Sequence, residues 1–193
     1  AFVEYSVPVP QELAINLDHL KQVLKRAKAT DTISISLGED KHRLTIQFQG
    51  AHKKTFNIPL INIEEGEQKL PTLDYKSKVT LPSEKLDEAV EDMSVISESL
   101  SLNVVPEKLI VRAESSLKDA KVELPSTEET VIILDGPEMS SKYSIEYLKK
   151  MAKASKLADT VSLELGNDYP LRMEYKLLDK LRLSFILAPR VSN

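Results

Sequence analysis

Residues 15–38 read INLDHLKQVLKRAKATDTISISLG, and residues 143–166 read YSIEYLKKMAKASKLADTVSLELG. The two stretches match with an offset of 128 positions. Each reads as a basic helix, then Asp-Thr, then an alternating strand that ends in Leu-Gly. A unit that is used twice in one chain indicates an architecture built from repeated modules.

A different unit separates the two copies and runs from about Lys76 to about Asp135. It reads as a strand, a helix and three short strands, which we interpret as the first half of a module. The chain order is then second half, connector, first half, second half. We expect the chain to start inside a module and to lack roughly 50–65 residues of a complete two-module protein. A natural chain of one and a half modules is the alternative.

This order predicts three regions. Residues 1–61 form the second half of an N-terminal module, and residues 62–75 form an interdomain connector. Residues 76–193 form a complete C-terminal module. The connector is predicted from its acidic residues, its single glycine and Pro71.

Composition limits the kinds of chemistry that the chain can perform. It has 193 residues, 41% of them apolar and 29% charged, and it contains no cysteine. Disulfides, thiolate metal sites and thiol nucleophiles are therefore excluded. No apolar run approaches the roughly 18 residues that cross a bilayer, so we expect no membrane partner.

Charge is segregated along the chain, although the formal net charge is only −4. Residues 17–28 and residues 144–156 each carry four lysines or arginines against one acidic residue, whereas the connector is acidic. Segregated charge matters more to a polyanionic partner than the total does.

Apolar periodicity predicts three helices, at about 17–28, 144–156 and 83–94. Asn16 and Ser144 are the expected N-caps of the first and second of these. Lysines at intervals of three and four residues form a stripe beside the apolar face of each basic helix. Such a stripe on one helix is usually a solvated face; its repetition at equivalent positions strengthens the alternative, a surface that contacts phosphates, and both interpretations stay open at this point.

Short alternating segments between the helices predict antiparallel strands. We place these strands at 32–37, 43–49, 54–60, 77–81, 99–104, 108–113, 120–124, 130–134, 160–165, 171–177 and 182–187. The predicted fold class is α+β, with two similar modules that each pack two helices on one face of antiparallel sheet, the first module being incomplete.

Motifs for catalysis are missing from the sequence. It has no glycine-rich phosphate loop, no nucleophile elbow and only scattered histidines, at His19, His42 and His52. We therefore expect no metal, no cofactor and no catalytic residue. The acidic residues of the helix at 83–94 read as a solvated face. An enzyme such as a carboxylate-based hydrolase would need a converging constellation that is not seen.

The order and spacing of several short motifs resemble the sliding clamps of the proliferating cell nuclear antigen family, in their archaeal form. The resemblance covers nearly the whole chain. It rests on the motifs Phe2-Val3-Glu4-Tyr5, Asn16-Leu17, Leu70-Pro71 with Tyr75, Val79-Thr80-Leu81-Pro82-Ser83, Tyr169-Pro170-Leu171 with Glu174-Tyr175, and Leu187-Ala188-Pro189-Arg190.

The resemblance implies a DNA polymerase sliding clamp, a non-enzymatic processivity factor that encircles duplex DNA as a trimeric ring without reading its sequence. It also implies that short peptide motifs tether DNA polymerase, ligase, flap endonuclease and the clamp loader. Such a protein works in the cytoplasm on chromosomal DNA, or in the nucleus if its source is eukaryotic. A homotrimer and a heterotrimer both remain open. The implied DNA-binding residues are Lys21, Lys25, Lys28, Lys149, Lys150, Lys153 and Lys156.

Two further sites follow from the resemblance. The implied subunit interface pairs two strands from neighbouring subunits, with Lys54, Phe56 and Ile58 on one side and Lys121, Val122 and Leu124 on the other. The implied pocket for partner peptides consists of Leu70, Pro71, Tyr75, Tyr169, Pro170, Leu187, Ala188 and Pro189.

One departure from the family concerns the helix at 83–94, which is acidic at Glu88 and Glu91, where some family members are basic. We therefore expect this helix to contribute little to DNA attraction. The alternative function is a peptide-binding scaffold of clamp fold that does not encircle DNA.

Overall fold

The computed structural model describes residues 3–62, 73–178 and 180–190. The chain divides into two compact units, Ala1–Pro71 and Thr72–Asn193. Most of the predicted connector, including Leu70 and Pro71, lies outside the described residues.

The first unit contains one helix and one three-stranded antiparallel sheet. Helix α1 spans Leu17–Leu24, and the strands are β1 (Thr32–Leu37), β2 (Arg43–Gln49) and β3 (Lys53–Pro59), in the order β1-β2-β3. Alternate side chains of β2 point inward, and Leu44, Ile46 and Phe48 form a small core with Ile58 of β3. The core is completed by half-buried residues such as Leu20 and Val23 on α1.

The second unit contains two helices and two antiparallel sheets. The five-stranded sheet has the order β12-β11-β10-β4-β8, and the four-stranded sheet has the order β7-β6-β5-β9. Helix α2 spans Ser83–Ser94, and α3 spans Ile145–Ala152 and continues as a 3₁₀ turn at Lys153–Lys156. The strands are β4 (Ser77–Pro82), β5 (Ser99–Val105), β6 (Lys108–Glu114), β7 (Asp119–Pro125), β8 (Val131–Leu134), β9 (Met139–Ser144), β10 (Thr160–Leu165), β11 (Leu171–Leu177) and β12 (Leu181–Leu187).

Two strand–helix–meander motifs interlock in this unit. Strand β4 leads directly into α2 but pairs with β10, and β9 leads directly into α3 but pairs with β5. The second motif thus contributes β9 to the four-stranded sheet, and the first contributes β4, with β8 paired beside it, to the five-stranded sheet. The exchange makes one core cluster from both sheets and both helices, with fully buried Leu81, Leu102, Tyr143 and Leu163 among its members.

The repeat predicted from the sequence is present residue for residue. Helices α1 and α3 have bounds that differ by 128, as do β1–β3 and β10–β12. Burial nevertheless differs between the copies. Ile33 and Ile35 of β1 are exposed, whereas their counterparts Val161 and Leu163 are buried, because β4 pairs with β10. Within the described residues, β1 pairs with β2 alone.

The helix ends differ from the prediction. Helix α1 ends at Leu24, and the chain then tightens, because the N–H groups of Arg26 and Ala27 donate to carbonyls three residues back. Lys25 is therefore the C-cap and Lys28 lies beyond the helix. Asn16 caps α1 as predicted, since its side chain accepts bonds from two backbone N–H groups, but Ser144 makes no side-chain cap bond to α3.

Two features of the second unit go beyond the prediction. Strand β9 was not predicted, because its sequence MSSKYS has too few apolar residues to show alternation, although Met139, Ser141 and Tyr143 are buried. The antiparallel strands of the second unit form two sheets, a division that the sequence pattern did not specify. The helix at Ser83–Ser94 and its buried face match the prediction.

Candidate functional site

The lysines of the first unit lie on and just after α1. Lys21 is on the helix, Lys25 caps it, and Lys28 lies in the following turn, where its backbone N–H donates to the carboxylate of Asp31. All three side chains are exposed. Within the described residues none of them has an ion pair, so their charge is available to an anion.

The lysines of the second unit line a groove of about 430 Å³ between α2 and α3. Lys149 is 2.6 Å from the carboxylate of Glu91 on α2, and Lys150 is 2.7 Å from Glu146 on its own helix. Lys153 and Lys156 are exposed on the 3₁₀ turn and have no ion pair within the described part of the chain. The predicted lysines therefore fall into a paired and an unpaired set.

The described residues of the predicted peptide pocket gather at one end of the five-stranded sheet. Leu171 at the start of β11 is paired with Leu187 at the end of β12. Antiparallel pairing therefore brings the residues before β11 and those after β12 to the same end. Tyr169, Pro170 and Pro189 are half-buried there and Ala188 is exposed, while Leu70 and Pro71 lie outside the described residues.

Tyr75 joins this end of the sheet from the segment that precedes β4. Its ring meets that of Tyr169 edge to face, with 5.6 Å between the centroids. The guanidinium group of Arg172 lies 5.0 Å from the Tyr75 ring centroid and is itself 3.0 Å from the carboxylate of Glu164. Burial raises the pKa of Tyr75, and its buried hydroxyl has no hydrogen-bond partner among the described residues.

Strand β3 ends its sheet and presents an open edge among the described residues. Two backbone hydrogen bonds close its ladder with β2. They run from the N–H of Leu60 to the carbonyl of His42, at 2.8 Å, and from Gly50 to His52, at 3.4 Å. Hydrogen-bonded and non-hydrogen-bonded pairs alternate along an antiparallel ladder, so the even-numbered residues of β3 bond to β2.

The open edge of β3 therefore carries the N–H groups of Thr55 and Asn57. The predicted interface residues Lys54, Phe56 and Ile58 direct their backbone toward β2 instead. Phe56 packs against Phe48 with 5.4 Å between ring centroids, and Ile58 is buried in the core.

Strand β7 likewise ends its sheet among the described residues. Its ladder with β6 is closed by bonds from Ser126 to Glu107 and from Ser115 to Lys118. By the same alternation, the backbone N–H and C=O groups of Val122 and Leu124 bond to β6. The N–H groups of Lys121 and Glu123 therefore point to the open edge. Lys121 and Glu123 also form an ion pair of 2.8 Å.

Neither a metal site nor a membrane-spanning helix occurs in the described ranges. No group of three or more histidines and carboxylates in residues 3–62, 73–178 and 180–190 could hold a metal ion. In the same residues no helix has the length and apolar character needed to cross a bilayer.

Sequence reasoning missed three groups of residues at these surfaces. Glu91 was assigned to a solvated face, yet it contacts Lys149, which is 58 positions away. Arg172 carried no signal, because only the sheet register brings it to Tyr75. Which amides of β3 and β7 point to the open edge depends on which residue pairs are hydrogen-bonded to the neighbouring strand. The alternation of apolar and polar side chains in the sequence does not reveal this.

Comparisons with known proteins agree on one family. The family model described as proliferating cell nuclear antigen, C-terminal domain, matches residues 69–190. The DNA polymerase sliding clamp of Nanoarchaeum equitans is 40% identical over 193 residues, which cover 98% of this chain and 78% of the relative. That of Pyrococcus horikoshii is also 40% identical, over 100% of this chain and 77% of the relative.

A solved structure shows the same fold. The crystal structure of the proliferating cell nuclear antigen from Thermococcus kodakaraensis matches with a TM-score of 0.86 at 28% sequence identity. The match covers 98% of this chain and 77% of that structure.

Proposed function

Because this chain belongs to the proliferating cell nuclear antigen family of sliding clamps, we propose that it is a DNA polymerase sliding clamp, which encircles duplex DNA as a trimeric ring and tethers replication and repair enzymes. It has no catalytic role in this proposal. Its place of action is chromosomal DNA, in the cytoplasm or, for a eukaryotic source, in the nucleus.

The observation that carries the ring is the pair of open sheet edges. Open edges favour pairing with another chain, and folded proteins usually cover or disrupt them. In the ring, β3 of one subunit pairs with β7 of the next and extends its sheet. The edge amides of Thr55 and Asn57 in β3, and of Lys121 and Glu123 in β7, supply the donors for this ladder.

The lysines on and after α1 and α3 are the proposed DNA contacts. Lysine side chains bind phosphate oxygens as point charges and do not discriminate between bases. A clamp has to slide over any sequence, so contacts of this kind suit it. Lys21, Lys25 and Lys28 of the first unit serve this role together with Lys149, Lys150, Lys153 and Lys156 of the second.

Partner enzymes bind, in this proposal, through short peptides at the end of the five-stranded sheet. The rings of the half-buried Tyr75 and Tyr169 offer apolar surface there. Leu70 and Pro71, which lie outside the described residues, remain part of the proposed set of peptide-binding residues. DNA polymerase, ligase, flap endonuclease and the clamp loader are the proposed partners.

Light scattering after size exclusion tests the ring. A mass three times the 21.7 kDa of one chain, or a defined complex with related subunits, is expected. Lys121→Pro removes one edge donor without breaking the β6–β7 ladder and should shift the mass to that of a monomer. Lys121→Ala keeps the N–H group and should not. A monomer with every candidate subunit would contradict the ring and leave a peptide-binding scaffold.

A further inference from the structure

The lysines in the groove between α2 and α3 are not equivalent. Lys149 projects from α3 to the last turn of α2, where its Nζ is 2.6 Å from the carboxylate of Glu91 and 3.5 Å from the hydroxyl of Ser94. Ser94 is the final residue of α2, so the ammonium group also lies near the negative end of that helix dipole. Three features of α2 therefore attract the same lysine.

Two neighbouring lysines lack such restraints. Lys153 and Lys156 are separated by three residues on a 3₁₀ turn, a geometry that places both side chains on the same side. Both are exposed and have no ion pair within residues 73–178. Lys153 and Lys156 can therefore bind a phosphate without breaking an ion pair with a carboxylate.

We propose that Glu91 restrains Lys149 and thereby lowers the affinity of this face for duplex DNA, so that Lys153 and Lys156 make the main phosphate contacts of the second unit. Glu91 is a positioning residue, since it acts on DNA only through Lys149. This inference rests on the proposed function, because it assumes that the groove faces DNA. In this proposal, the acidic helix α2 keeps the contact with duplex DNA weak enough for the protein to slide.

The size of the effect follows from the exposure of the pair. The Lys149 side chain is 38% exposed and that of Glu91 is 56% exposed, and ion pairs at such positions are weak and screened by salt. Glu91 therefore tunes the contact and does not abolish it. Each additional phosphate contact steepens the dependence of log affinity on log salt by about 0.9 and raises affinity about three-fold across a four-fold drop in salt.

Glu88 provides a matched control. It lies one turn before Glu91 on α2, is exposed, and has no ion pair within the described residues. Glu88→Gln and Glu91→Gln change the net charge equally, so any long-range effect on DNA is similar in both variants. Only Glu91→Gln releases Lys149.

The experiment measures binding of the full chain to a fluorescent duplex by anisotropy over a salt series. Glu91→Gln should bind more tightly than Glu88→Gln and have a steeper salt slope, so that the ratio of their affinities grows about three-fold over a four-fold drop in salt. Lys149→Ala should weaken DNA binding more in the Glu91→Gln background than in the wild-type background. Glu91→Asp, which keeps the charge, should stay near wild type.

Two outcomes separate failure of the inference from failure of the function. If Lys153→Glu and Lys156→Glu weaken binding but the two glutamine variants behave alike, the inference is overturned and the DNA-binding face stands. If neither lysine variant changes binding and Glu91→Gln has no effect, the face does not contact DNA, and both proposals fail for the second unit.

Discussion

The phenol oxygen of Tyr143 donates a hydrogen bond of 2.7 Å to the backbone carbonyl of Tyr169. Tyr143 is fully buried on β9, and Tyr169 lies in the turn before β11. The bond therefore ties the strand exchanged into the four-stranded sheet to the end of the five-stranded sheet where the proposed peptide pocket lies.

Tyr143→Phe should lower the free energy of unfolding by about 1–2 kcal/mol, because it leaves the Tyr169 carbonyl without its shorter hydrogen bond. Tyr75→Phe is the matched control. Its hydroxyl has no partner among the described residues, so its removal should be close to neutral. Urea unfolding of the two variants checks the difference. Equal losses would contradict the importance assigned to the Tyr143–Tyr169 bond.

Alkaline pH should weaken the same part of the fold. Burial raises the pKa of Tyr143 to about 12, from an ordinary value of 10.0. The neutral phenol is then favoured by folding, so its contribution is fully present below pH 10 and is lost as pH rises toward 12. The loss amounts to about 2–3 kcal/mol. Unfolding of wild type and Tyr143→Phe between pH 9 and 12 should show the two stabilities converging.

Acid should weaken the β11–β12 ladder. Glu174 is buried, and its carboxylate lies 2.6 Å from Arg182 and 2.7 Å from Lys176. Burial raises the pKa of Glu174, but the bonds to Lys176 and Arg182 lower it by more, so that it lies below 4.5. The ion pairs therefore contribute fully to the free energy of unfolding above about pH 4.5. This contribution is lost as the pH falls through the pKa of Glu174 in the folded protein.

Glu174→Gln should therefore cost on the order of 1–2 kcal/mol at pH 7 and much less at pH 3. Glu146→Gln is the control, because its pair with Lys150 has a similar length, 2.7 Å, but is exposed. Its loss should change stability little at either pH. Thermal unfolding at both pH values tests this, and a cost for Glu174→Gln that does not depend on pH would argue against the ion pairs as its cause.

Much of the fold could be predicted from local patterns. The helix Ser83–Ser94 follows Pro82 and carries a clean apolar face, so both its bounds and its buried residues were predictable. The repeat predicted equivalent elements because side-chain periodicity is a local property. Helix α1 was predicted too long, since apolar spacing continues through Ala27 although the backbone tightens after Leu24.

Contacts between distant segments could not be predicted in this way. The pairing of β4 with β10 and of β9 with β5 depends on how all the strands and helices of the module pack together. No single segment of the sequence contains that information. The pairing of Lys149 with Glu91 depends on how α2 and α3 cross, and the sequence of either helix is compatible with a solvated face. The candidate site was therefore predicted as a set of residues, while its division into paired and unpaired lysines was not.

The two copies of the repeat provide a last prediction about packing. Ile35 of β1 and Leu163 of β10 occupy equivalent positions, but Ile35 is 50% exposed and Leu163 is fully buried. Leu163→Ala should therefore cost about 2–5 kcal/mol, because it leaves a cavity in the core shared by both sheets. Ile35→Ala should cost about 1 kcal/mol or less.

Hydrogen exchange of the amides in each unit measures the two costs separately, since the residues lie in different compact units. The repeat by itself predicts equal effects, because the sequence pattern around both positions is the same. Pairing with β4 predicts unequal effects, because only β10 has a neighbour on that side within the described residues. A large cost for Ile35→Ala in the 193-residue chain would mean that another surface covers β1 in solution.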